Sequence, residues 1–377
     1  MSIRMAIRKL SFAILALALP LAGCSDQRVI EKLGFIRSVA YELADDGEEN
    51  KGKVKVTISI PKTNQKEAIQ YSTVAKTARE ARIVFDRQND RRIVNGQMRQ
   101  ALFGESLARE GLWTHIDSLL RDPSVGNRVH FLVVEGSAEE LLNRKYPQGG
   151  TAGEYIDNLV RVETGALNMP DTTLYSYARD YYDDGIDPIA AIIRSQPESI
   201  IFDGIALFDR DKMTGKVEPD DLPYFGMVYG KVKSGDLFIN FAGDDYASDV
   251  ASMLYFSSHR KVKVRSIPSL SRGTGPKVTV KVTLTGSLLE YAGTMEVSKR
   301  AEQAKLEKEI AKYTKEKCEK LIRMMQESRA DAIGIGQYVR NAMRYSDWEK
   351  LDWAETFSKA EIDVEVGVRI RNFGKRQ

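Results

Sequence analysis

Cys24 is the residue with the plainest chemistry in this chain of 377 residues. It follows Leu21-Ala22-Gly23, a small-residue ending to the uncharged apolar run over 10–23. Arg4, Arg8 and Lys9 precede that run. A basic start, an apolar stretch too short to cross a bilayer and a small-residue cleavage site form an export signal in the right order. A cysteine directly after the cleavage point is the lipobox pattern of bacterial lipoproteins. Its sulfur takes a diacylglyceryl group, and cleavage makes it the new N-terminus. The expectation is a lipoprotein signal peptide over 1–23 and lipidation at Cys24. Two or three acyl chains then hold the protein at a membrane, each buried CH₂ contributing about 0.8 kcal/mol. The plainer alternative is a secretory signal with an incidental cysteine.

Other reactive residue types are sparse. Cys318 lies in a helical run and reads as a thiol with no partner. Two cysteines so far apart exclude a disulfide-dense scaffold and a Cys-built zinc site. His115, His130 and His259 fall on separate expected elements, with no Ser or Cys nucleophile pattern beside them. Asp183-Asp184 is a possible carboxylate pair, but Gly185 next to it reads more simply as a solvated turn. Asp209 to Asp220 superficially matches a calcium loop, yet Thr214 stands where that loop needs Gly and the closing Glu is missing. A hairpin turn is the better reading there. Gly334-Ile335-Gly336 lacks the third glycine of a dinucleotide fingerprint, and no preceding strand is expected. Phosphate-loop, nucleophile-elbow, zinc-protease and C-x-x-C patterns are absent. No catalytic residues, cofactor or metal are expected, and the chain does not read as an enzyme.

The elements that carry these residues follow from composition and periodicity. The chain is 42% hydrophobic and 29% charged, which argues for packed cores rather than disorder. Its net charge of +3 is confined to the expected signal; without Arg4, Arg8 and Lys9, 53 basic residues face 53 acidic ones. Such neutrality argues against general nucleic-acid binding, which needs a basic surface to displace counterions.

Along the chain, Val54 to Ile60 alternates as a half-buried strand, and His130-Phe131-Leu132-Val133-Val134 is a short apolar strand. Residues 73–85 and 102–120 have spacing suited to helices, as do 138–144 and 154–161, and 175–182 leads into the turn at Asp183-Asp184-Gly185. Ile200 to Phe208 opens a second block, followed by a polar turn around Thr214-Gly215 and a short strand at Val262-Lys263-Val264. The stretch 269–276, rich in Ser, Gly and Pro, is the best linker candidate. Lys277 to Leu284 and Ile362 to Ile370 alternate cleanly. Between them, Leu306, Ile310, Tyr313, Leu321, Met324 and Met325 recur at helical steps over 297–328. That pattern fits an amphipathic helix packed on its own sheet, or a docking face for a partner.

The expected fold class is α+β, as three blocks with antiparallel or mixed sheets packed against helices. They comprise an N-terminal α+β domain over 24–196, a small mainly β domain over 199–271 and a C-terminal α+β domain over 275–377.

Several local patterns, in order, resemble the Ger(x)C family. Gly23-Cys24-Ser25-Asp26-Gln27-Arg28 resembles its G-C-W-D-x-R start, with Ser25 replacing Trp. Phe103 to Leu112 with Ile116 to Arg121 is similar to its central signature, a strand end leading into a helix. Asp203-Gly204-Ile205-Ala206-Leu207-Phe208 through Gly215 resembles its hairpin, and Asp331 to Gly336 its D-x-F-G-F-G element. Trp348, Trp353 and Phe357, then the last alternating strand and Gly374, resemble its closing pattern.

This resemblance implies a lipoprotein C subunit of a GerA-type nutrient germinant receptor, without catalytic activity. Its implied partners are an A subunit and a multi-spanning B subunit, and its location is the outer surface of the spore inner membrane. Only Cys24 carries over as a site. A lipid-anchored extracytoplasmic solute-binding protein is the alternative. Such a protein usually has two similar lobes closing on a cleft, whereas three unequal blocks are expected here.

Overall fold

Where apolar residues run on without interruption, the chain forms strands buried on both faces; where they alternate, one face meets solvent. The computed structural model describes residues 32–44, 47–62, 67–165, 170–241, 249–267 and 274–373. The expected signal peptide, Cys24, Gly374 and residues 269–273 of the linker candidate lie outside them.

The first elements are β1 (Leu33–Phe35), β2 (Ser38–Leu43), β3 (Val54–Pro61), β4 (Ala68–Ala75) and α1 (Ala78–Gln88). Then come β5 (Arg92–Val94), β6 (Gln100–Gly104), α2 (Glu105–Glu110), α3 (Trp113–Leu120) and β7 (His130–Glu135). Helices α4 (Ala138–Asn143), α5 (Ala152–Gly165) and α6 (Leu174–Tyr182) precede β8 (Ile189–Ser195), β9 (Ile200–Asp209) and β10 (Lys212–Val217). These build an eight-stranded mixed sheet in the order β10-β9-β8-β7-β6-β2-β3-β4, while β1 and β5 pair separately. The four central strands are parallel and the outer pairs antiparallel.

Alternate residues of each central strand enter different cores. Ala101, Phe103, Phe131, Val133 and Ile192 pack with Phe85 of α1, Leu107 of α2, Ile116 of α3 and Tyr177 of α6. Leu102, Leu132, Val134, Ala191 and Ile193 pack with Leu141 of α4 and Ile156 of α5. Helices on both faces are what a parallel sheet requires, and they explain why these strands read as unbroken apolar runs.

The remaining elements are α7 (Leu222–Tyr229), β11 (Lys231–Phe241), β12 (Asp249–Ser266), β13 (Lys277–Ala292) and α8 (Arg300–Glu327). After them come α9 (Ile335–Asn341), α10 (Tyr345–Trp348), α11 (Trp353–Ser358) and β14 (Glu361–Ile370). A second sheet runs β11-β12-β13-β14, with β14 parallel to β13. Parallel neighbours need a long crossover, and α8 supplies it. Val280, Val282, Leu284 and Val364 share a core with Leu306, Ile310 and Ile322 of α8 and Phe225 of α7. The opposite face is open: Lys261, Lys281 and Glu365 lie in one exposed row across three strands. No described helix is long and apolar enough to cross a membrane.

Mixed sheets packed against helices are thus as expected, but several boundaries differ. The small β domain expected over 199–271 does not form its own sheet; β9 and β10 extend the large sheet, and β11 and β12 belong to the second. The apolar run Ile200 to Phe208 needs cover on both sides, and β12 pairs along most of the length of β13. The helix expected over 73–85 begins only at Ala78, after Thr77 accepts a capping hydrogen bond from Glu80 N–H. Before it, the β-branched Thr73 and Val74 extend β4. Residues 102–120 form a strand end and two short helices, with Gly111 at positive φ closing the first. The turn expected at Thr214-Gly215 lies instead at Arg210-Asp211, where Arg210 takes a positive φ.

Candidate functional site

The motif residues that looked inert one at a time meet at a buried joint between the two sheets. Asp331 lies just beyond α8 and is fully buried. Its carboxylate accepts the Ile335 N–H at 2.9 Å, the Gly336 N–H at 2.7 Å and the Trp353 Nε1–H at 3.0 Å. The first two are N–H groups that open α9 and have no partner within the helix. Gly334 turns the chain into α9 at φ 67°, a conformation that side chains with a Cβ rarely adopt. Gly336 is small for a different reason: a Cβ there would stand 2.6 Å from Trp353 Nε1 and 2.8 Å from the Gly185 carbonyl.

The large sheet supplies the other half through the turn between α6 and β8. The Gln337 N–H donates to the Gly185 carbonyl at 2.9 Å. The Asp187 carboxylate accepts the Asp331 N–H at 2.7 Å, and the Asp187 N–H donates back to the Asp331 carbonyl at 3.0 Å. Asp183 accepts from Gln337 Nε2 and from Arg340 Nη1, both at 2.9 Å. Asp184 accepts from Arg340 and, at 2.8 Å, from Trp348 Nε1. Asp183-Asp184 is therefore no mere solvated turn; it is one half of a clamp. Behind it, Arg260 on β12 donates to the carbonyls of Val228 at 2.6 Å and Ile333 at 2.8 Å.

Burial drives the Asp187 carboxyl up to about 7, against hydrogen bonds from backbone N–H groups that pull the other way. Burial also raises Asp331, and its three hydrogen bonds hold it at about 6. At Asp183 the balance reverses: burial pushes up, but the Gly185 N–H, Gln337 and Arg340 together bring it below the usual carboxylate range. Each of these carboxylates already accepts N–H donors, and among the described residues no group of His, Cys, Asp and Glu could hold a metal ion. The joint is built to lock two layers together.

The other singled-out residues are dispersed. His115 lies on α3, partly buried and stacked on Tyr41 at 5.6 Å between ring centroids; burial lowers it. His130 lies on β7, where burial lowers it against the opposing pull of Asp171 and Asp157, and His259 is exposed on β12. Cys318 is free and buried on α8, and burial pushes its thiol up to about 12. Trp348, Trp353 and Phe357 are core, with successive ring centroids 5.0 and 6.1 Å apart. The calcium-like stretch is the β9–β10 hairpin, and its Asp211 carbonyl accepts the Leu112 N–H at 3.0 Å. That bond ties the hairpin to the 103–112 signature. Sequence reading missed Asp187, Gln337 and Arg340; only the acid-rich turn around Gly185 hinted at them.

Two family models match nearly the whole chain. Residues 26–195 match the spore germination protein N-terminal domain, and 203–374 match the spore germination B3/GerAC-like C-terminal model. The chain belongs to the Ger(x)C family of spore germination proteins. Among Ger(x)C relatives, spore germination protein GerQC of Bacillus cereus is 24% identical over 363 residues, covering 96% of this chain and 97% of the relative. Spore germination protein B3 of Bacillus subtilis is 22% identical over 379 residues, covering 94% and 95%. The crystal structure of the GerBC protein superposes with a TM-score of 0.56 at 16% identity, covering 89% of this chain and 97% of that one. At that identity the likeness speaks for the Ger(x)C fold alone.

Proposed function

We propose that this chain is the lipid-anchored, non-enzymatic C subunit of a GerA-type nutrient germinant receptor. It is held through Cys24 at the outer surface of the spore inner membrane and works through contacts with membrane-spanning A and B subunits. The observation that carries the reading is where the family motifs lie. Asp331, Gly334, Gly336, Trp348 and Trp353, from two of the family patterns, are used in one buried joint, so these residues serve packing instead of a reacting centre. A solute-binding protein would place its hinge where two similar lobes meet. Here two unlike sheets are clamped together.

The contact element is the outer crest of α8. Its inner stripe of Leu306, Ile310, Cys318, Leu321 and Met325 is buried on the body, leaving Lys308, Lys312, Lys320 and Arg323 exposed. Rim charges of this kind govern encounter and specificity more than affinity.

Anchoring is tested with Cys24→Ala in cells that lack the A and B subunits. Acyl chains supply the membrane affinity, so the variant is expected in the soluble fraction, folded. Quantitative recovery in the membrane pellet would contradict the lipid anchor.

A further inference from the structure

A cavity of about 580 Å³ opens on the large-sheet side, between α1, α3 and the strands they cover. That volume is in the range of small-molecule sites, about 300–1,000 Å³. Its floor is apolar, formed by Val39, Val56 and Ile58 of β2 and β3. Tyr41 also lines it and is only 2% exposed. Among the described residues its hydroxyl makes no hydrogen bond. Lining the cavity with no partner in the protein, that hydroxyl is free to hydrogen-bond a ligand atom that reaches it.

The mouth is basic. Arg79, Arg82, Arg92 and Arg121 line the cavity with only Asp86 and Asp122 as acids. Both acids are already engaged: Asp122 accepts from Arg82 at 3.3 Å and from Asn95 at 2.9 Å, and Asp86 accepts the Ile93 N–H at 3.0 Å. Arg121 pairs with Asp117 at 2.7 Å. Arg79 and Arg92 are exposed and have no ion pair among the described residues. Guanidinium groups favour carboxylates, which they can bind through two hydrogen bonds at once.

We infer that this cavity binds a small organic carboxylate, its anionic end on Arg79 and Arg92 and its apolar body on the sheet, with a hydroxyl or carbonyl at the far end meeting Tyr41. The site goes beyond the receptor-subunit reading, which rests on the family match and the placement of its motifs and stands without it.

Isothermal titration of the detergent-solubilised full-length chain tests the site with phenylacetate, para-hydroxyphenylacetate, hexanoate and the neutral phenylacetamide. Saturable binding is expected for the carboxylates and none for the amide. The exposed-site double variant Arg79→Gln/Arg92→Gln should weaken every carboxylate about tenfold, a change of about 1.4 kcal/mol. Tyr41→Phe, which removes only an unbonded hydroxyl, should abolish any preference for the para-hydroxy compound while leaving hexanoate unchanged. The inference is overturned if no carboxylate binds, if the amide binds equally well, or if the arginine variant binds the anions as tightly as the unaltered chain.

Discussion

The two sheets solve the same burial problem differently. The large sheet is covered by helices on both faces, so Leu132 and Val133 of β7 enter separate cores although they are neighbours in sequence. The second sheet is covered on one face, so Val280 and Val282 go inward while Lys281 between them stays exposed. The first arrangement hides nearly everything its central strands carry. The second leaves an open face of charge and an outer helix crest, surfaces open to contact with another protein. The joint around Asp331 lets the two behave as one body, and it uses polar groups where both sheets otherwise use apolar ones.

The largest expected effect separates joint from surface. Trp353→Ala removes an aromatic buried against Trp348 and Phe357 and takes away a donor to Asp331. A loss of about 3–5 kcal/mol is expected, read as the shift of a denaturant midpoint. An unchanged midpoint would mean that the joint does not hold the layers together.

A smaller effect concerns protonation. Asp187 at about 7 and Asp331 at about 6 bind a proton more tightly folded than unfolded, where an aspartate titrates near 3.9. Ionising them therefore opposes folding. Their contribution to stability is fully present below about pH 4 and is lost as pH rises toward 7. Denaturant midpoints measured across that window should show this decline, and Asp187→Asn should flatten it. An unaltered slope in the variant would assign the titration elsewhere.

The smallest stability effect belongs to the exposed crest of α8. Reversing Lys308, Lys312 and Lys320 to Glu should move the midpoint by no more than about 0.5 kcal/mol per site, the range of ordinary surface changes. Under the proposed function the same variant loses association with the A and B subunits. Retained association with intact folding would move the contact away from this helix.

This contrast also explains what could be read from sequence. Singly covered strands announce themselves: β13 and β14 alternate strictly, and both were legible. Doubly covered ones are harder, because Leu102-Phe103 fits a helix as well as a strand until a neighbouring β7 is known. The boundary of the middle block was misplaced for the same reason, since β9 and β10 find their partners in a sheet whose other strands precede them. The joint was barely legible. Its clamp runs between Asp183 and Gln337, 154 positions apart, and nothing local in an Asp-Asp-Gly turn distinguishes a clamp from a solvated loop. The buried stripe of α8 was only partly foreseen, because Thr314 and Cys318 are small or polar and do not mark a helix face.

The central claim is that this chain acts as one subunit of a membrane receptor by touching its partners. Affinity purification of the full-length chain from detergent-solubilised spore inner membranes, with the co-purifying proteins identified and quantified, tests it most directly. The account predicts recovery with two membrane-spanning subunits, A and B. Recovery of the chain alone, or with a transporter permease and its ATPase, would contradict it.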